Sequence, residues 1–390
     1  MRFASLCATA LAALPALASV QAATLVRLDA DAMQDLHTNT SIAIGSNGLP
    51  RIAYANAFDG TFRFATCHTL DCNDFGIEPV ADAVGTSASM VLDANDAMRL
   101  AYYDFVDDAL AFDDGTLHAI DDPPDDVGLY ASLVLDAAGR PRVAYDDLSD
   151  DSLRFAACAD AACASVSIVT VDDDPAVFVG EHVDLAIGTD GLPVMAYAVL
   201  PDGALRVAKC LDATCTSRTT HDLDQPFVGR FASIAIGADG NPVISYLDFD
   251  RQALKVAKCA DAACAQPATV SLLDDRGRDV GWYNAIAIRP DGNPVISYRR
   301  CFFDAVDCVL AVAECRTPDC AGPVDLLTVD HRDDEVTGDN TDIAIGSDGA
   351  AVISYYNETA GSVDFAKCSV QTCATSGDGV FVSGFDGVSR

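Results

Sequence analysis

Two clusters of residues in this chain have types and spacing that could do chemistry. Glu181, His182 and Asp184 lie close together, and Asp339 and Asp342 repeat the same spacing of acids farther along. Carboxylates that converge on one spot can bind calcium through oxygen alone, or divide the roles of acid and base between them. The second cluster joins Trp282, the only tryptophan, and Tyr283 to Arg299 and Arg300, with Arg230, Asp248 and Asp250 in the stretch before. Aromatic surface beside a local cation and carboxylates suits a discrete ligand. The chain has six histidines and none stands in a nucleophile-elbow context, so a Ser-His-Asp set is unsupported.

A repeat brings these residues into register. One pattern, clearest as SIAIGADGNPVISY from Ser233 to Tyr246, recurs in seven copies ending at Tyr54, Tyr102, Tyr145, Tyr197, Tyr246, Tyr298 and Tyr355. The intervals of 48, 43, 52, 49, 52 and 57 residues mark a repeat architecture. In the fifth copy, strands are predicted over 233–237, 243–246, 253–259 and 269–273, separated by turn-forming Asp, Gly, Asn and Pro. Four antiparallel strands per copy with no helical period predict an all-β fold, a seven-bladed β-propeller. Leu25 to Asp29 reads like the fourth strands Val270 to Asp274 and Ile168 to Asp172. The N-terminal strand is therefore expected to complete the last blade and close the ring. The propeller is expected over 23–373, with 374–390 as a tail.

The first strand of each blade lines the central channel. Residues just before it should ring the channel mouth in pairs: Asn39 and Ser41, Ser87 and Ser89, Tyr130 and Ser132, His182 and Asp184, Phe231 and Ser233, Tyr283 and Ala285, Asn340 and Asp342. Loops joining strands two to three and blade to blade share that face and vary between copies, so function is expected there. Glu181, Asp184, Asp339 and Asp342 are the candidate calcium ligands. Trp282, Tyr283, Arg299, Arg300, Arg230, Asp248 and Asp250 form the candidate ligand patch.

What recurs in every blade is assigned to construction. One tyrosine per blade at one position fits interblade packing with a hydroxyl handle. The Asp-Gly pairs at 190, 239, 291 and 348 supply tight turns. Six cysteine pairs share a C-x4-C spacing: Cys67 with Cys72, Cys158 with Cys163, Cys210 with Cys215, Cys259 with Cys264, Cys315 with Cys320, and Cys368 with Cys373; Cys301 and Cys308 are a further two. Each pair alone supplies half a zinc site, so disulfides are expected, at about 2 kcal/mol each for so short a loop.

Residues 1–22 have the layout of a secretory signal peptide, with Arg2, an apolar run and a small-residue end at Ala22. The protein is expected to be secreted, extracellular or periplasmic, and a monomer without membrane insertion. The formal charge of −35, from 59 acidic against 24 basic residues, excludes nucleic acid and anionic lipid as partners, since phosphate binding needs clustered Lys and Arg.

The wording V-G-x-Y-x-S-I-A-I-x-x-D-G-x-P-V-I-S-Y, as in Val228 to Tyr246 and Val280 to Tyr298, resembles a β-propeller repeat common in secreted bacterial proteins. That resemblance implies architecture and location and carries no single activity. The Asp-Gly motif falls between strands one and two and lacks the Thr-Trp end of a sialidase-type box, and no arginine triad is evident. The expected function is a binding module for a glycan, cell-surface polymer or protein, through one composite site on the variable face and without catalysis. The alternatives are a propeller glycoside hydrolase or lyase, or an envelope protein with no ligand.

Overall fold

The computed structural model describes residues 23–30, 39–56, 60–122, 126–174, 177–201, 203–302, 307–370 and 372–373; the expected signal peptide and tail lie outside them. The β-branched and aromatic runs between the turns pair as seven separate four-stranded antiparallel sheets. Together they form the blades of the expected propeller. In the fifth blade the strands are Val228–Ile236, Pro242–Asp248, Ala253–Lys258 and Thr269–Asp274.

The ring closes as the sequence predicts. Thr24–Asp29 pairs antiparallel with Ser362–Lys367, Val26 opposite Phe365, and becomes the fourth strand of the seventh blade. All seven expected disulfides form, Cys301 with Cys308 among them. The second blade has no cysteine pair and still builds its four strands. Among the described residues no helix is long and apolar enough to cross a membrane.

One boundary differs from the sequence reading. The inner strand of the fifth blade starts at Val228 and not at Ser233, because its first residues also pair with strand two across an irregularity. Val228 lies opposite Asp248, Arg230 opposite Leu247 and Ser233 opposite Ser245. Extra residues on one side of the ladder make a bulge, which re-aims the side chains within it.

The seven recurrent tyrosines are fully buried between blades. Six of their hydroxyls donate at 2.6–2.8 Å to an aspartate that ends the fourth strand of the preceding blade: Tyr54 to Asp29, Tyr145 to Asp121, Tyr197 to Asp172, Tyr246 to Asp224, Tyr298 to Asp274 and Tyr355 to Asp330. A cation completes each clasp. Arg63, Arg154, Arg206 and Lys255, each opposite its tyrosine on strand three, pair with the same aspartates. Arg276 and Arg300 serve Asp274, and Arg332 serves Asp330. The N-terminal strand supplies Asp29, so closure of the last blade also fastens the first.

A second close approach lies beside five of the six clasps, at Gly128, Gly180, Gly229, Gly281 and Gly338. Gly281 has φ +90°, and a Cβ there would stand 3.0 Å from the Leu254 Cα of the preceding blade. Only glycine lets the two backbones meet.

Tyr246→Phe removes one clasp donor and leaves Asp224 to Lys255 alone. Chemical denaturation should read a loss of about 1–2 kcal/mol, the cost of a buried acceptor short of one bond.

Candidate functional site

The bulge at the head of each inner strand builds the channel mouth. Ser87, Tyr130, His182, Phe231, Tyr283 and Asn340 all have φ between 49° and 53°, the left-handed region that residues with a side chain seldom adopt. Each such residue costs about 1 kcal/mol or more and is held there by its surroundings. They line a cavity of about 220 Å³ together with Asn39, and the second member of every predicted pair lines it as well.

Those second members form a circle of latches between blades. The side chain of each accepts the backbone N–H of the next blade's inner strand: Ser41 from Met90, Ser89 from Leu133, Ser132 from Leu185, Asp184 from Ile234, Ser233 from Ile286 and Asp342 from Ile42, at 2.8–3.2 Å. Ala285 cannot accept, and there Asp342 turns its other oxygen to its own neighbour Ile343 N–H at 2.8 Å. Asp184 also accepts from the Ser132 and Ser233 hydroxyls at 2.8 and 3.1 Å. Burial pushes the Asp342 carboxyl up to about 7, against the pull of its two N–H donors and with a further push from Asp184. Burial also raises Asp184, opposed by its four donors.

The mouth is two-sided. Blades three to six present an aromatic crescent, with ring centres 4.4 Å apart for Tyr130 and His182, 4.0 Å for His182 and Phe231, and 4.8 Å for Phe231 and Tyr283. Blades seven, one and two present Asn340, Asn39 and Ser87. Apolar ring faces opposite amides and hydroxyls make a cup for a molecule with both kinds of surface.

Outside the cup, the residue after the conserved-position glycine forms a shoulder: Glu181, Arg230, Trp282 and Asp339 in blades four to seven. In blades three and six the residue after the recurrent tyrosine faces the next blade's shoulder. Between blades six and seven this juxtaposition is a matched ion pair, Arg299 to Asp339 at 2.6 Å. Between blades three and four the same two positions hold acids, Asp146 and Glu181. Burial raises Asp146 to about 8, and the charges of Glu181, Asp147, Asp151 and Asp126 add to the shift. Burial raises Glu181 too, while Arg230, 3.5 Å away, pulls it back. His182 Nδ1 lies 3.5 Å from the other Glu181 oxygen. Both carboxyls are therefore pushed above the ordinary carboxylate range at the edge of the aromatic crescent, Asp146 to about 8.

The predicted residues fall into several settings. Trp282 and Tyr283 come together with Arg299, whose guanidinium lies 5.3 and 4.9 Å from their ring centres, but the Asp339 pair and burial commit that arginine to bracing the crescent. Arg300 points to the other face of its strand, bonds Thr328 at 2.8 Å and joins the Asp274 clasp. Asp248 is buried and holds the Arg251 N–H at 3.0 Å, and Asp250 is exposed. Arg230 lies over Phe249, 5.1 Å from its ring centre. The ligand patch is thus divided: Trp282, Tyr283 and Arg230 border the cup, while Arg300 and Asp248 belong to the framework. The four carboxylates named for calcium are each engaged by protein donors or cations. Among the described residues no group of three or more His, Cys, Asp or Glu side chains could hold a metal ion.

Asp146 is the residue that sequence reasoning missed. It is the only acid at the position after the recurrent tyrosine, where the other copies carry Ala55, Tyr103, Ala198, Leu247, Arg299 and Tyr356.

No family model matches the chain, and no curated protein matches it in sequence. Among solved structures it is similar to an α-L-arabinofuranosidase of Fusarium graminearum in complex with arabinobiose, with TM-score 0.49 and 9% identity over 72% of this chain and 93% of that one. A polysaccharide lyase gives 0.49 and 8% over 85% and 89%, and an intramolecular trans-sialidase from Ruminococcus gnavus 0.47 and 10% over 88% and 96%. At such identities the likeness is one of fold. These neighbours are glycan-processing enzymes, which stands against the expectation of a binding module, and at TM-scores below 0.5 the likeness assigns this chain no activity.

The raised Asp342 carboxyl makes stability depend on pH. Its folded pKa of about 7 exceeds the unfolded 3.8, so the folded state holds the extra proton between those values. Melting temperature should fall as pH rises from 5 to 8. Asp342→Ser keeps an acceptor for Ile42 and should flatten the part of that fall near pH 7 in calorimetric scans.

Proposed function

We propose that the protein is a glycoside hydrolase whose active site lies at the channel mouth between blades three and five. The observation that carries this reading is the pair of acids Asp146 and Glu181 standing where the seam between blades six and seven places Arg299 and Asp339. A pair of carboxyls, one of them held protonated near neutral pH, can divide the acid and base roles in cleavage of a glycosidic bond. Asp146, protonated at neutral pH, gives its proton to the departing glycosidic oxygen as the bond from that oxygen to the anomeric carbon breaks. Glu181, its charge supported by Arg230, takes a proton from the water whose oxygen bonds to that carbon.

The cup supports a sugar as the bound group. At about 220 Å³ it is smaller than the ~300–1,000 Å³ of sites for larger organic ligands, a size for one ring. Its aromatic crescent offers ring faces, and Asn39, Asn340 and Ser87 offer hydrogen bonds. A lyase acting on uronates is the weaker alternative, because a chain of net charge −35 repels a polyanion and both arginines of the shoulder are already paired with acids. Seven disulfides support work in an oxidising compartment outside the cytoplasm.

A panel of aryl glycosides tests the reading. Turnover should occur on at least one neutral sugar and fall by about 10²–10⁴-fold in both Asp146→Asn and Glu181→Gln. The rate should decline above pH about 8 as Asp146 loses its proton. Full activity in Asp146→Asn would overturn the assignment.

A further inference from the structure

We propose a second glycan subsite, a platform outside the cup built from Phe249, Phe227 and the outer edge of Trp282, which takes the chain that continues from the sugar ring in the cup. The proposal rests on the hydrolase reading for the occupant of the cup, and on separate observations for the platform itself.

The aromatic crescent does not stop at the mouth. Phe231, which lines the cup, has its ring centre 5.3 Å from that of Trp282, and Trp282 stands 6.5 Å from Phe249. Phe249 lies on the loop between strands two and three of the fifth blade, and its N–H donates to the Phe227 carbonyl at 2.9 Å, which fixes the two residues side by side. Both rings are exposed, Phe249 at 41% and Phe227 at 45%. The Arg230 guanidinium lies over the Phe249 ring, 5.1 Å from its centre, and its charge faces Glu181 at 3.5 Å.

The occupant follows from size, continuity and charge. A cavity of about 220 Å³ takes one ring, so any longer glycan must leave the cup over its rim. On the side of blades five and six, that rim is a stepped run of aromatic faces that starts inside the cup. Apolar faces without an unpaired cation suit the C–H faces of neutral sugars and give a polyanion nothing to bind. The platform therefore supplies affinity for polymer over single sugars, and Arg230 links it to Glu181.

Affinity gel electrophoresis with soluble arabinan, xylan and mixed-linkage β-glucan tests the platform, using the Asp146→Asn protein so that no polymer is consumed. At least one polymer should retard the protein. Adding Phe249→Ala should weaken the apparent affinity about three- to tenfold, and adding Phe249→Trp in its place should restore it. Phe249 is exposed, and an unchanged melting temperature separates lost binding from lost fold. Equal retardation with and without the Phe249 ring, or no retardation by any of the three polymers, would overturn the platform. Retardation that depends on Phe249, in a wild-type protein that turns over no aryl glycoside, would retain the platform and overturn the hydrolase reading.

Discussion

The hydrogen bond from a buried tyrosine to the aspartate of the preceding blade is the constraint on which the ring depends. Each blade is a separate sheet, so no backbone ladder crosses from one to the next, and the seams are held by side chains together with single backbone bonds such as Val179 N–H to the Asp151 carbonyl at 3.1 Å. A phenol packs like an apolar ring along its body and delivers one donor at its tip. The aspartate at the end of strand four receives that donor and a cation from strand three, and is thereby satisfied without water. This explains part of a composition that looks merely acidic: an aspartate in six of the seven seams is a structural acceptor. It also explains why so few cations remain for ligands, since Arg63, Arg154, Arg206, Lys255 and Arg332 are already committed.

A second circle of bonds, the serine and aspartate latches in the channel, repeats that logic nearer the axis. Between the two circles the mouth residues are held in a left-handed backbone conformation that none would choose alone. Strain of this kind persists where the surroundings outweigh it. Seven seams share the load, so one of them can depart from the pattern. The seam between blades three and four keeps its clasp, Tyr197 on Asp172, and gives up the matched pair above it for Asp146 and Glu181.

The period of the chain makes the fold legible, because a repeat of about 50 residues with alternating strands has few other solutions. It also placed the channel pairs, since register within a repeat carries over from copy to copy, and every pair from Asn39 and Ser41 to Asn340 and Asp342 lines the cup. The roles of Asp184 and Asp342 were not legible. A carboxylate that accepts a neighbouring blade's N–H looks, in sequence, like one that could bind a cation. Arg299 and Arg300 read as one basic spot, yet consecutive strand residues point to opposite faces, one bracing the crescent and one entering a clasp. Asp146 was missed because its meaning comes from Glu181 in the next blade, a contact that no local pattern encodes.

Ring closure sets an order on folding. The strand Thr24–Asp29 emerges first and has no partner until Ser362–Lys367 exists, and Tyr54 has no acceptor until that strand is in place. Every intermediate blade can form from neighbours in sequence, but the last seam is a contact between the two ends of the chain, the slowest kind to find. Until then the first and last sheets both carry an open edge. The chain therefore stays short of its final rigidity until its seventh blade is complete.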